Sequence, residues 1–380
     1  MIPYGRQFLD DDDVNEIIKV LKSDFITQGP RINQFEECLA SYFEAKYAVV
    51  FNSGTSALHG AYFALGLKKD DEFITTPITF VATSNAGLYL GAKPVFVDVE
   101  KDTANIDCNK ILENISKKTK LIVPVHLSGH PVDLERIFQI ARENNLFVVE
   151  DACHAVGAKY NKDKIGNCQI SDMAVFSFHP VKHITTGEGG AVLTNNPEFY
   201  EKLKMFSTHG ITKDNLKNFT DGDWYYEMHY LGYNYRMTDI QAALGISQLK
   251  KLNSFIQKRR EIVAEYEKAF SSNPYFDIPI ERAYAFSSYH LYIIRLKDKL
   301  IDRKVQIFRD MRENGIGVQV HYIPVYWQPY YQKLGYGEGL CPNGEDFYRR
   351  AISIPIYPAM GKNDLSYVIE TILKIFKKYE

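Results

Sequence analysis

The chain has 380 residues, 45% of them hydrophobic and 24% charged, with a formal net charge of -2. That length supplies one large core and a second, smaller one, and a charge so near zero provides no basic field to attract nucleic acid, so a small-molecule partner is expected. The first residues lack the basic head and apolar centre of a signal peptide and no segment approaches the ~20 apolar residues that span a bilayer, so a cytoplasmic chain without membrane contact is expected.

Val14, Ile17, Ile18 and Leu21 recur at helical spacing behind the acidic run from Asp10 to Asp13, whose charges suit a helix N-terminus, and predict an opening helix. Seven short apolar runs bounded by turn residues follow: "YAVVFNSG", "EFITTPITF", "KPVFVDV", "KLIVPVHLSG", "LFVVEDA", "MAVFSFH" and "GAVLTN". Helical patterns such as "TSALHGAYFALGL" and "LERIFQIARENN" separate several of them, which predicts an α/β unit with a largely parallel sheet. The runs are nearly continuous in apolar character, as strands covered on both faces are.

The strand pattern stops near Leu249. A long charged helix, "KLNSFIQKRREIVAEYEKAF", then carries Ile262, Tyr266 and Phe270 on one face and leads to a smaller unit. That unit contains "HLYIIRL", "GIGVQVHYIPVY" and a closing helix striped by Leu365, Val368, Ile369, Ile372 and Phe376. The expected organisation is a large domain over 1–250, including the opening helix, and a small C-terminal α/β domain over 251–380. There is no internal repeat and no low-complexity tract.

In open α/β sheets ligands collect at the carboxyl ends of strands, so the residues just after each run are the chemical candidates. After "MAVFSFH" stands Lys182 in "FSFHPVKHITTGEGG", where an enzyme can hold a half-desolvated amine as a nucleophile; a lone lysine is otherwise a solvated charge. After "YAVVF" comes "NSGTSAL", a small-residue turn opening a helix whose free amides favour a phosphate, with a plain glycine turn as the competing reading. Asp151 ends a buried strand, a position costly for a carboxylate without a cation or donors, and a protonated pyridine nitrogen or an internal salt bridge would each satisfy it. Phe80 is placed either to stack on a planar ring or to fill core, and Ser177 either to add a hydroxyl to a phosphate site or to face a helix. The five cysteines are odd in number and scattered, without paired metal-ligand spacing, and read as reduced thiols with no metal site. Amine, acid, aromatic plate and phosphate cradle together make the inventory for pyridoxal phosphate.

The order "NSGTSAL", "TTPITFVAT", "VEDACHAVGAKY", "FSFHPVKHITTGEGG" and "LGYNYRMTDIQAALG" resembles the DegT/DnrJ/EryC1/StrS family of sugar-nucleotide aminotransferases over nearly the whole chain. The resemblance implies a fold-type I pyridoxal phosphate-dependent transferase, with a mostly parallel seven-stranded sheet in the large domain. It implies that Lys182 forms the Schiff base with the cofactor, that Asp151 pairs with the ring nitrogen, and that His154 lies near the ring hydroxyl. Many relatives have glutamine at that last position. Gly54, Thr55, Ser56 and Ser177 fall at phosphate positions and Phe80 at the stacking position. Asn234 falls where the family inserts a residue into the neighbouring subunit's site, which implies a homodimer with shared active sites.

Tyr4, Asp24, Phe25, Ile26, Thr27, His321 and Tyr322 fall at positions resembling the sugar-nucleotide pocket. "GIGVQVHYIPVYWQPYYQKLGY" resembles the branch that acts on a UDP-linked 4-keto-6-deoxy-N-acetylhexosamine in pseudaminic acid biosynthesis, with L-glutamate as amino donor. Alternatives within the class are bacillosamine, perosamine or 4-amino-arabinose precursors. Outside it stand a sugar dehydratase, in which histidine replaces the lysine, and a cofactor-binding regulator, for which no helix-turn-helix or basic patch is evident.

Overall fold

The computed structural model describes residues 1–214, 216–218 and 222–379. Helix α1 (Asp11–Leu21) opens the chain. Its N-cap, Asp10, accepts from the Asp12 and Asp13 amides while the Asp13 carboxylate takes the Asp10 amide, so the acidic run closes a reciprocal cap. Asp10 and Asp13 also pair with Lys251, which ties the helix down by its polar side. Val20 and Asp13 are the buried residues of α1, and Val14, Ile18 and Leu21 of the expected apolar stripe lie exposed.

All seven apolar runs form strands of one sheet. These are β1 (Tyr47–Phe51), β2 (Glu72–Thr75), β3 (Lys93–Phe96), β4 (Thr119–Val123), β5 (Phe147–Asp151), β6 (Met173–Ser177) and β7 (Gly190–Thr194). Their spatial order is β1-β7-β6-β5-β4-β2-β3, and β7 runs antiparallel to both neighbours while the other pairs are parallel. Successive strand side chains point to opposite faces, and here each face meets its own core. On one side Val50, Ile74, Ile122, Val148, Ala174 and Phe176 pack together, and on the other Val49, Phe73, Leu121, Val149 and Val175. The unbroken apolar runs are the sequence image of that double coverage.

Helix α2 (Gly54–Ala64) follows β1, and α3 (Ala82–Tyr89) follows β2. A 32-residue helix, α4 (Asp239–Phe270), merges the pattern "DIQAALGISQLKKL" with the charged helix after it. Its first half buries Ala242, Ile246 and Leu249 in the main core, and its second half buries Ile262, Tyr266 and Phe270 in a separate cluster. That cluster also holds an antiparallel sheet of β8 (Phe276–Asp277), β9 (Tyr292–Leu296) and β10 (Ala351–Ile354), covered by Val368, Ile372 and Phe376 of α5 (Lys362–Lys377). Residue 250, where the sequence pattern sets the division, falls inside α4. No helix among the described residues is long and apolar enough to cross a membrane.

Candidate active site

The carboxyl ends of β1, β2, β5 and β6 converge on a cavity of ≈ 880 Å³. At its floor, Ser53 caps α2: its hydroxyl accepts the Ser56 amide while the Ser56 hydroxyl takes the Ser53 amide. Two of the four amides that a helix start leaves open are thereby used, and those of Gly54 and Thr55, both lining the cavity, remain for an anion. A Cβ on Gly54 would stand 2.9 Å from Ser177 Cβ and 3.1 Å from its hydroxyl oxygen. Glycine therefore lets the helix start close against the end of β6 and brings Ser177 beside the free amides. Gly54→Ala is expected to destabilise the chain by about 1–3 kcal/mol through overpacking, read as a lower melting temperature and weaker retention of an anionic ligand.

Asp151 is buried at the end of β5. Its Oδ2 accepts from Thr83 Oγ1 at 2.6 Å and its Oδ1 from the Cys153 amide at 3.2 Å. Above it, Phe80 is 57% exposed, so its ring is free to stack on a planar guest, and it stands 6.3 Å from the Tyr322 ring. Lys182 lies in the loop after β6, its amide bonded to the His179 carbonyl at 2.9 Å. Its ammonium has no hydrogen-bond or ion-pair partner among the described residues. Burial lowers its pKa from the ordinary lysine value, against the opposing pull of the Cys153 thiol and the Asp151 carboxylate.

Four imidazoles surround that amine. His154 Nε2 meets Tyr322 Oη at 3.0 Å, and its ring centre is 4.4 Å from that of His290. His183 Nε2 bonds the Ser288 carbonyl at 3.0 Å, and His321 Nδ1 bonds the Ser353 hydroxyl at 2.7 Å. Burial first, then the Lys182 charge, pushes His154 well below the usual histidine range and His321 down to about 4. His290 and His183 are pushed well down too, by burial foremost. At neutral pH these four rings are uncharged, and Lys182 is the one lysine or arginine on the cavity wall among the described residues.

Of the positions singled out in the sequence, Tyr4, Gly54, Thr55, Phe80, Asp151, His154, Ser177, Lys182, His321 and Tyr322 line this cavity. Ser56 does not; its hydroxyl is turned inward to Asn52 Oδ1 at 2.7 Å as part of the cap. Asn234 is exposed, its backbone paired with Thr208 and its carbonyl accepting from Asn52 Nδ2 at 3.4 Å. Asp24, Phe25, Ile26 and Thr27 are exposed outside the cavity, with Thr27 bridged to Thr238. Sequence reasoning missed Thr79, Thr83, His179 and His290 on the wall. The two threonines were signalled in "TTPITFVAT", where hydroxyls four residues apart bracket Phe80 at a helix start; His290 carries no such local mark.

The model of the DegT/DnrJ/EryC1/StrS aminotransferase family matches residues 7–373. The chain belongs to this family. It is 42% identical over 381 aligned positions to the UDP-4-amino-4,6-dideoxy-N-acetyl-beta-L-altrosamine transaminase of Campylobacter jejuni, covering 100% of this chain and 98% of that one. Among solved structures it superposes on Helicobacter pylori PseC, an aminotransferase involved in the biosynthesis of pseudoaminic acid, with a TM-score of 0.93 at 36% identity and 99% coverage of each chain. The putative sugar aminotransferase Spr1654 of Streptococcus pneumoniae, solved in a PMP form, matches with a TM-score of 0.95 at 30% identity and full coverage of both chains. As a DegT/DnrJ/EryC1/StrS aminotransferase, the chain has the fold-type I architecture.

Proposed function

We propose that this pyridoxal phosphate-dependent aminotransferase moves the amino group of L-glutamate to the 4-keto carbon of a UDP-linked 4-keto-6-deoxy-N-acetylhexosamine. The product is UDP-4-amino-4,6-dideoxy-N-acetyl-β-L-altrosamine, a step toward pseudaminic acid. The observation that carries the reading is Lys182, an amine without a partner, facing the same cavity as a buried carboxylate, an exposed aromatic and two free helix amides. The choice of sugar is supported by the full-length relation to the Campylobacter jejuni transaminase.

The residues present fit the cofactor. The Gly54 and Thr55 amides with the Ser177 hydroxyl would hold its phosphate, Phe80 would cover its ring, Asp151 would accept from its ring nitrogen, and His154 would serve its ring hydroxyl. When bound, pyridoxal phosphate supplies a carbonyl that exchanges amines and a ring that takes up negative charge. Lys182 Nζ holds the cofactor at rest. Once displaced by the donor, it removes the proton from glutamate's α-carbon and later returns one to C4 of the sugar, a role open to it because burial favours the free amine. Asp151, held in place by its two donors, would fix the ring's orientation. Tyr4, His321 and Tyr322 line the same cavity and would contact the sugar.

The active unit in this reading is a homodimer. Asn234 reaches the phosphate site of a second copy, and Asp24, Phe25, Ile26 and Thr27 meet its sugar nucleotide. Support comes from the exposed Val14, Ile18, Leu21, Phe25 and Ile26, an apolar surface that a second copy would cover. Sedimentation of the loaded protein at the mass of one copy would overturn this arrangement.

The test of the chemistry is the absorption spectrum of the purified protein with pyridoxal phosphate, before and after L-glutamate. A visible band that requires Lys182 and is replaced on adding glutamate supports the reading. Absence of any lysine-dependent band overturns it.

A further inference from the structure

Thr79 and Thr83, both buried, form a hydroxyl chain that ends on Asp151. Thr83 Oγ1 lies 2.6 Å from Asp151 Oδ2 and 3.2 Å from the Phe80 carbonyl, but it has a single proton to give. A charge-assisted bond to the nearer carboxylate takes that proton. Thr79 Oγ1, 2.8 Å from Thr83 Oγ1, must then be the donor in their bond, so the chain runs Thr79 to Thr83 to Asp151 and each bond polarises the next.

The backbone of this unit is fixed as well. Tyr62 Oη, fully buried, donates to the Thr83 carbonyl at 2.9 Å, and the Thr83 amide bonds the Phe80 carbonyl at 3.2 Å. One turn of chain thus holds both the aromatic plate and the donor to the carboxylate, and so sets the gap between Phe80 and Asp151.

We propose that Thr83, supported by Thr79, is a positioning residue that orients the Asp151 carboxylate and fixes its distance from the Phe80 ring. The proposal rests on the reading of Asp151 as the partner of the cofactor's ring nitrogen. A charge-assisted bond fixes the direction in which a carboxylate presents its oxygens; without it Asp151 would be free to turn, and its contact with a ring nitrogen would weaken. The ionisable groups facing this carboxylate are Cys153, Lys182, Tyr62 and Tyr322, with His154 beside Lys182.

The experiment compares Thr83→Val, which keeps the shape and loses the hydroxyl, with Thr83→Ser, which keeps the hydroxyl, in the pyridoxal phosphate-loaded enzyme. Thr83→Val is expected to lose roughly tenfold to a hundredfold in kcat with a KM for L-glutamate near the wild-type value, as loss of a bond to a charged group implies. The pH titration of its visible band departs from the wild-type curve, and Thr83→Ser restores both readouts. A Thr83→Val enzyme with wild-type kcat and an unmoved titration overturns the proposal. Should that variant fail to fold, Thr79→Val decides: a titration shifted the same way supports the chain of hydroxyls, and an unmoved one overturns it. Borohydride trapping of the cofactor on Lys182 in the wild type separates the two levels, because its absence removes the functional reading itself whatever Thr83 does.

Discussion

Lys182→Ala is expected to lower turnover by roughly 10³- to 10⁴-fold while the protein still folds and takes up pyridoxal phosphate, because covalent holding and proton transfer are lost together. No second lysine lines the cavity among the described residues. The four imidazoles around the amine are neutral and buried, with His321 pushed down to about 4. Three of them already spend a ring nitrogen on Tyr322, Ser288 or Ser353. Folding should survive, since among the described residues Lys182 forms no ion pair whose loss would strand a buried charge. Steady-state assay with L-glutamate, together with the lost borohydride adduct, checks this; a rate within tenfold of wild type would mean that another group moves the proton.

Asp151→Ala is expected to cost at least ~3 kcal/mol of transition-state stabilisation, roughly a hundredfold or more in kcat, because one half of a buried pair is removed. It also strands the Thr83 hydroxyl and the Cys153 amide, donors now 2.6 Å and 3.2 Å from its oxygens. The KM for glutamate should move far less than kcat if, as proposed, the carboxylate acts on the ring and not on the donor. Equal losses in both, or a rate close to wild type, would place Asp151 in a structural role. The same pair of measurements on Asp151→Asn, which preserves shape, separates charge from packing.

Much of the fold was legible because the strands are covered on both sides. Runs such as "LFVVEDA" and "MAVFSFH" have no polar alternation to confuse with a surface strand, and each became a strand of the central sheet. The direction of β7 was not legible, since an apolar run carries no mark of the sense in which it pairs. Local patterning also divides "DIQAALGISQLKKL" from the charged helix after it. The structure joins them, because the Thr238 and Gln241 capping box starts one helix that runs unbroken to Phe270.

The site was legible where function sits at a strand end: Gly54, Asp151, Ser177 and Lys182 all follow apolar runs and all face one cavity. It was less legible where contact depends on tertiary approach. His290 meets His154 only because the loop before β9 folds back over the sheet, through the Ser288 amide to the Gly129 carbonyl and the His290 amide to the Ser128 carbonyl. The spacing of Val14, Ile18 and Leu21 predicts a helix and a helix forms, yet α1 docks by its polar side, through Lys251, and leaves those three exposed. Periodicity reports that a face will be covered, not which surface covers it.

The most direct test of the central claim is to incubate the loaded enzyme with L-glutamate and a UDP-linked 4-keto-6-deoxy-N-acetylhexosamine and follow both products by mass spectrometry. The account predicts a 4-amino nucleotide sugar and 2-oxoglutarate in equal amounts, each requiring Lys182. A sugar that loses water or stays unchanged while glutamate is untouched would contradict it.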